Sequence, residues 1–289
     1  MSTGAPPRGP DGAERRPDAG SIVPPRWHRL LRAEPPGLVA TLLGVGTIVL
    51  VLVLWFLLTL GDPTDRVISP SKLPSPGETF GALGALFERG VGEALADTLQ
   101  RVFLGIAIAA IVGIVAGVLA AAHRGVAAAV LPLVIFLRSV PMGALIPLTL
   151  LLFGTEEKQK VMFIFLAVVP FVFSDSFKAV SIIPDRYVET AQTLGASKWQ
   201  IVYKVLVPLA IPDIVTSLRF QLGLALGYIT LAEAIDAPHG LGKLISLSER
   251  LGKPEQVYLL LFMIALLAFS LDYLLRIIQR GAFPWRRDL

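Results

Sequence analysis

Two arginines stand in stretches where charge is costly. Arg138 lies about 12 residues into the apolar run Val126–Phe153, and Arg219 at a similar depth in Leu206–Ala232. An ionisable group at the centre of a bilayer costs about 2.5–3.5 kcal/mol on insertion scales, so each needs a compensating partner. A guanidinium presents a planar fork of donors that matches an oxyanion. One expectation is that Arg138 and Arg219 attract a small anion such as a sulfonate, nitrate or bicarbonate. Ser139 and Met142 would stand beside the first arginine, Gln221 and Tyr228 along the same run as the second. Pro141 and Pro147 would free backbone groups nearby that can contact a solute. The alternative is structural: the arginines pair with carboxylates such as Asp175 or Glu233, or with helix-end carbonyls, and hold the helices together.

Other chemistries are poorly supplied. Cysteine is absent, which removes disulfides, iron–sulfur clusters and thiolate nucleophiles. The three histidines, His28, His123 and His239, are scattered, so no metal site is expected. The chain has neither a His-Glu-x-x-His arrangement nor a close carboxylate pair in its apolar runs, which argues against a membrane-embedded hydrolase. Glu233 and Asp236 fall at the end of an apolar run, where solvated surface positions are expected.

The elements that must carry these residues are membrane spans. Hydrophobic residues make up 54% of the 289 and charged residues only 17%, against about a quarter in a soluble domain. Runs of about 20 apolar residues, the length that crosses a bilayer as a helix, occur at Leu38–Leu60, Thr98–Ala122, Val126–Phe153, Val161–Phe177, Leu206–Ala232 and Val257–Ile278. The expected fold is all-α, with about six transmembrane helices over residues 37–289 and a disordered tail over 1–36. With the N-terminus inside, the cytoplasmic segments hold fifteen Lys and Arg and the opposite side eight. Both termini are therefore expected in the cytoplasm, by the positive-inside rule. The net charge of +4 thus reflects topology and no nucleic-acid partner is expected. In the outer loop Phe80, Leu83, Leu86 and Phe87 recur at helical spacing, predicting a short amphipathic helix packed on the bundle. Gly113 and Gly117 allow a close helix contact, within the subunit or with a twin.

The cytoplasmic loop at about 184–208 has its own architecture. Pro184 ends the preceding helix, and Asp185 is placed to cap the next. That helix puts Val188, Ala191 and Leu194 on one face, and Gly195 suits the left-handed turn that closes it. Ser197 followed by Gln200 is a capping box that opens a second helix. Trp199, Val202, Tyr203 and Leu206 are expected on one face of it, until Pro208 and Pro212 break the pattern. A rigid helical hairpin can move the spans it joins when a partner beneath it closes and opens. The small residues Thr190, Ala191, Gly195 and Ala196 would let a partner's backbone approach. Equally, the hairpin can be a loop capped for its own stability.

Glu189-Thr-Ala-Gln-Thr-Leu-Gly195, nine residues, then Val205-Leu-Val-Pro208 resembles the EAA loop of binding-protein-dependent ABC importer permeases. The departures, Thr190, Val205 and Val207, are mild in size and polarity. Leu73-Pro-Ser-Pro76, Thr98-Leu-Gln-Arg101 with Gly105, Leu137-Arg-Ser-Val-Pro141, Ser217-Leu-Arg219, Ala232-Glu233 and Gly240-Leu-Gly242 are similar to the branch that imports nitrate, taurine, alkanesulfonates and bicarbonate. The resemblance covers the chain from about Val67 onward. It implies a type I ABC importer permease fold in an inner membrane, two permease copies, two ATPase subunits docked on the hairpins, and an external solute-binding protein. Asp185, Glu189, Thr190, Ala191, Gly195, Ala196, Ser197, Trp199 and Pro208 would then form the ATPase-coupling element. This chain has no Gly-x-x-x-x-Gly-Lys-Ser/Thr loop, so ATP and magnesium would be held by the partner ATPases. The same architecture carrying a metabolite precursor or a cation, or working as an exporter, is the competing expectation.

Overall fold

A computed structural model describes residues 35–62 and 66–286; residues 1–34, the greater part of the tail at 1–36, lie outside the described residues. The regular structure among the described residues is helical throughout. Five helices are long and apolar enough to cross a membrane, and a sixth crossing is obtained if one bent pair is counted together.

The chain divides at Leu54 into two compact units. The described part of the first belongs to α1 (Gly37–Leu58), apolar around its whole circumference, as suits a helix facing hydrocarbon. In the second unit the end of α1 is tied to the outer loop by Trp55 Nε1, which donates to the Pro74 carbonyl at 2.9 Å. Two short helices follow, α2 (Pro76–Gly81) and α3 (Leu83–Glu88), where one was expected. They pack as anticipated: Leu86 is fully buried in a cluster with Leu241 and Leu260. Phe80 meets Phe262 edge-on at 5.5 Å, whereas Phe87 stays exposed.

The centre of the second unit is built by α4 (Val91–Ala122), α7 (Glu157–Ser181) and α10 (Val207–Asp236). Their shared core includes Val102, Ile106, Phe163, Ile164, Leu222 and Leu226. Glycines set how closely α4 and α7 approach. A Cβ on Gly105 would fall 2.6 Å from Ile164, one on Gly113 2.9 Å from Val172, and one on Gly117 2.6 Å from the Phe173 carbonyl. The Gly113–Gly117 spacing therefore serves a contact within the subunit. The last long helix, α12 (Pro254–Ala282), packs on α10 and on the short helix α11 (Leu241–Arg250), which also contacts α10.

The stretch Val126–Phe153 is not one continuous span. It is α5 (Arg124–Arg138) and α6 (Met142–Phe153), bent by 103° where Ser139, Val140 and Pro141 interrupt the helix. Pro141 has no amide hydrogen, and the residue before a proline is driven out of the helical region, so the chain breaks there. The fifth run, by contrast, is longer than its prolines suggested. Helix α9 (Lys198–Ile201) passes through a π-helical turn, Val202–Leu206, directly into α10. The Val207 amide donates to the Val202 carbonyl, five residues back. Pro208 opens α10 and Pro212 lies inside it, so neither ends the helix.

Candidate functional site

The inner hairpin consists of α8 (Asp185–Thr193) and α9, joined through Gly195. Pro184 takes the cap position, and Asp185 is instead the first helical residue, its carboxylate in the turn where the helix dipole favours negative charge. At the other end Gly195 has φ +78°, a conformation glycine adopts without a Cβ penalty. The Ala196 amide donates to the Ala191 carbonyl at 3.0 Å and the Gly195 amide to Gln192 at 2.9 Å, which satisfies the last carbonyls of α8. The capping box is formed in full: Ser197 Oγ accepts from the Gln200 amide, and Gln200 Oε1 accepts from the Ser197 amide at 2.8 Å. Thr190 Oγ1 donates to Arg186 within its own helix at 2.7 Å. Ala191 is buried and Glu189 exposed.

One expected face is split. Val202 and Leu206 turn inward to a core with Val180, Ala210 and Ile214, while Trp199 and Tyr203 are more than half exposed. Leu194 at the hairpin tip is 83% exposed, and with Trp199 and Tyr203 it gives the hairpin surface an apolar, aromatic character. His123, in the turn between α4 and α5, faces Trp199 at 6.0 Å.

The residues expected along a solute path separate into distinct environments. Arg138 is the last residue of α5, so it stands at the break between α5 and α6; it is exposed, its guanidinium 5.0 Å from the Phe171 ring. Ser139 Oγ donates to the Ile135 carbonyl at 3.0 Å, and Met142 packs against the main core. Tyr228 is also packed against that core. Gln221 donates to Asp175 Oδ2 at 3.3 Å, and Ser217 donates to the same oxygen.

Arg219 has little freedom to meet a solute. Nη2 lies 2.7 Å and Nε 3.1 Å from Asp272 Oδ1, and Nη1 donates to Gln279 Oε1 at 2.7 Å. Gln279, fully buried, donates through Nε2 to the Pro212 carbonyl at 2.9 Å and to Thr216 Oγ1 at 2.7 Å. The cluster clamps α12 onto α10 beside the proline. The structural alternative thus describes Arg219, with Asp272 in place of the carboxylates expected.

Glu233 corrects the expectation of a solvated surface residue: it is completely buried. Its carboxylate accepts from Thr98 Oγ1 at 2.9 Å, Arg101 Nη1 at 2.7 Å and the Gly242 amide at 2.9 Å. Arg101 also holds Glu157 through two bonds, at 2.5 and 2.7 Å, and donates to the His239 carbonyl at 2.8 Å. A Cβ on Gly240 would collide with the Glu233 carboxylate, so only glycine fits there. This pin joins α4, α7, α10 and the start of α11. Thr98 and Arg101, three apart on one helical face, and a lone Glu233 beside Gly240 and Gly242 were its traces in the sequence.

Residues 112–284, more than half of the chain, match the family model described as binding-protein-dependent transport system inner membrane component. The chain is 30% identical to the taurine transport system permease protein TauC of Escherichia coli over 86% of its length and 90% of that protein. It is 28% identical to the nitrate import permease protein NrtB of Synechococcus elongatus, over 77% of this chain and 80% of that one. Among solved structures, an inward-facing form of the MetNI methionine ABC transporter superposes with a TM-score of 0.55 at 28% identity, covering 67% of this chain and 94% of that one. With its hairpin, its helical bundle and these matches, the chain belongs to the binding-protein-dependent transport system inner membrane components, as the permease subunit of an ABC importer.

Proposed function

We propose that two copies of this chain form one transmembrane path, with both termini in the cytoplasm. Two ATPase subunits, holding ATP and magnesium, dock on the inner hairpins, and an external binding protein delivers a small solute bearing an oxyanion group. The observation that carries this reading is the build of the hairpin. Both of its ends are capped, its tip presents Leu194, Trp199 and Tyr203, and α9 runs unbroken through the π turn into α10. A push at the tip is therefore delivered to the core of the bundle and not absorbed in a loop. The excess of Lys and Arg on the hairpin side supports the orientation. Arg138, exposed at the helix break, is a guanidinium available to an oxyanion, and a sulfonate, nitrate or bicarbonate suits it.

The chain has no native cysteine, which makes site-directed crosslinking clean. Leu194→Cys, paired with single cysteines on the partner ATPase, should crosslink within the purified complex, and the yield should change on ATP binding. A full complex in which Leu194→Cys reaches no ATPase position would overturn the coupling role.

A further inference from the structure

We infer that the Asp175–Ser217–Gln221 cluster is a subsite for the protonated amine of the solute, so that the transported molecule carries both a cationic and an anionic group. This rests on the reading of Arg138 as a group that meets the solute and narrows the class of solute. Asp175 lies on α7 within an apolar span, where an ionised carboxylate needs a reason to be kept. Ser217 and Gln221, one turn apart on α10, both donate to Oδ2. Among the described residues nothing is bonded to Oδ1. Asp175 and Ser217 line an open cavity of about 510 Å³ shared with Lys178, Asp213, Thr216 and Phe220. Asp213 is engaged by Arg286. Lys178, one turn toward the cytoplasm, is exposed and is the other cation on this wall.

The second charge comes from Arg138. Its guanidinium lies over Phe171, which precedes Asp175 by one helical turn, about 6 Å along α7. A carboxylate with an open oxygen and an exposed guanidinium thus follow one another along the same helix face. A path for a simple anion such as nitrate gains nothing from a carboxylate in its wall, because like charges repel in a medium of low dielectric. A path for an amino-sulfonate or an amino acid uses both: the ammonium donates to Asp175 while the sulfonate or carboxylate meets Arg138. Ser217 and Gln221 donate to Oδ2 and hold the carboxylate in one orientation, leaving Oδ1 for the ligand.

The test uses the permease assembled with its ATPase in lipid nanodiscs, without binding protein. Equilibrium binding is measured for three probes: taurine, ethanesulfonate, which lacks the amine, and ethylammonium, which lacks the sulfonate. The wild-type complex should bind taurine at least tenfold more tightly than either of the others. Asp175→Asn, which keeps the size and the acceptor, should weaken taurine about tenfold and tighten ethanesulfonate, from which the like charge has been removed. Ser217→Ala should produce a smaller loss in the same direction. Equal affinity for taurine and either probe, an unchanged preference in Asp175→Asn, or no binding of taurine by the intact wild-type complex would each overturn the subsite. None of these touches the importer reading, which stands or falls on the Leu194→Cys crosslink.

Discussion

Glu78 shows how a single side chain serves as cap and ion partner at once. Its carboxylate accepts from the Ser75 amide at 2.7 Å, closing a capping box at the start of α2, and from Arg66 Nη1 at 3.0 Å. The Arg66 bond, with help from the Ser75 amide, lowers its pKa from 4.5 to about 2. A carboxylate depressed in the folded state stabilises it fully above the unfolded value and loses that contribution as pH falls through the folded one. The α2 start should therefore hold firm above about pH 4.5 and loosen between there and about pH 2. Amide hydrogen exchange over residues 75–82, corrected for its intrinsic pH dependence, should show protection declining in that window. Glu78→Gln, which keeps an acceptor without the charge, should flatten the decline. Because Glu78 is 38% exposed, the effect is local and not a global unfolding.

At the level of helices, what could be read from the sequence was local chemistry. Gly195, the Ser197–Gln200 capping box and four of the six long apolar runs depend on residues within a few positions of one another, and each of these is found where its spacing put it. The break at Pro141 was hidden because a hydropathy window counts apolar residues without asking whether their backbone can stay helical. Pro208 and Pro212 misled in the opposite direction: the π turn re-pairs the backbone and lets α10 continue. The pairings Arg101–Glu233 and Arg219–Asp272 join residues more than fifty positions apart, and no periodicity encodes such contacts. The α4–α7 contact lay between these cases, since Gly113 and Gly117 were visible but their partner helix was not. A Cβ at Gly117 would sit 2.6 Å from the Phe173 carbonyl and 2.9 Å from Ser176, on backbone and rigid core that have little room to move. Gly117→Val should therefore destabilise the subunit by about 1–3 kcal/mol through overpacking. The check is a lower thermal midpoint of the detergent-solubilised protein, with Gly125→Ala, where nothing lies within 4 Å, as the silent comparison.

For the whole molecule, the charges within the bundle divide into those that hold it together and those left to act. Arg101 and Glu233 pin the end of the bundle away from the hairpin, and Arg219 with Gln279 and Asp272 clamps the last helix beside Pro212. Arg138, stacked on Phe171 at the break between α5 and α6, closes no such network. A transporter needs this division, because residues that hold the bundle must keep their partners while the path opens, and residues that meet the solute must be able to release it. The two arginines should consequently fail in different ways. Arg219→Ala leaves Gln279 Oε1 without its donor and Asp272 with only the longer Arg276 pair at 3.6 Å, so the folded complex should lose about 1–3 kcal/mol. That figure lies below the usual value for breaking a buried pair because Asp272 is 40% exposed. Its signature is a reduced thermal midpoint and yield, with uptake per assembled complex largely retained. Arg138→Ala should leave the thermal midpoint within error while raising the KM of ATP-driven uptake into proteoliposomes supplied with the binding protein, about tenfold, and Arg138→Lys should recover part of it. The reverse pattern, with Arg138→Ala unstable and Arg219→Ala altering KM alone, would exchange their roles and move the path to the α10–α12 side of the bundle.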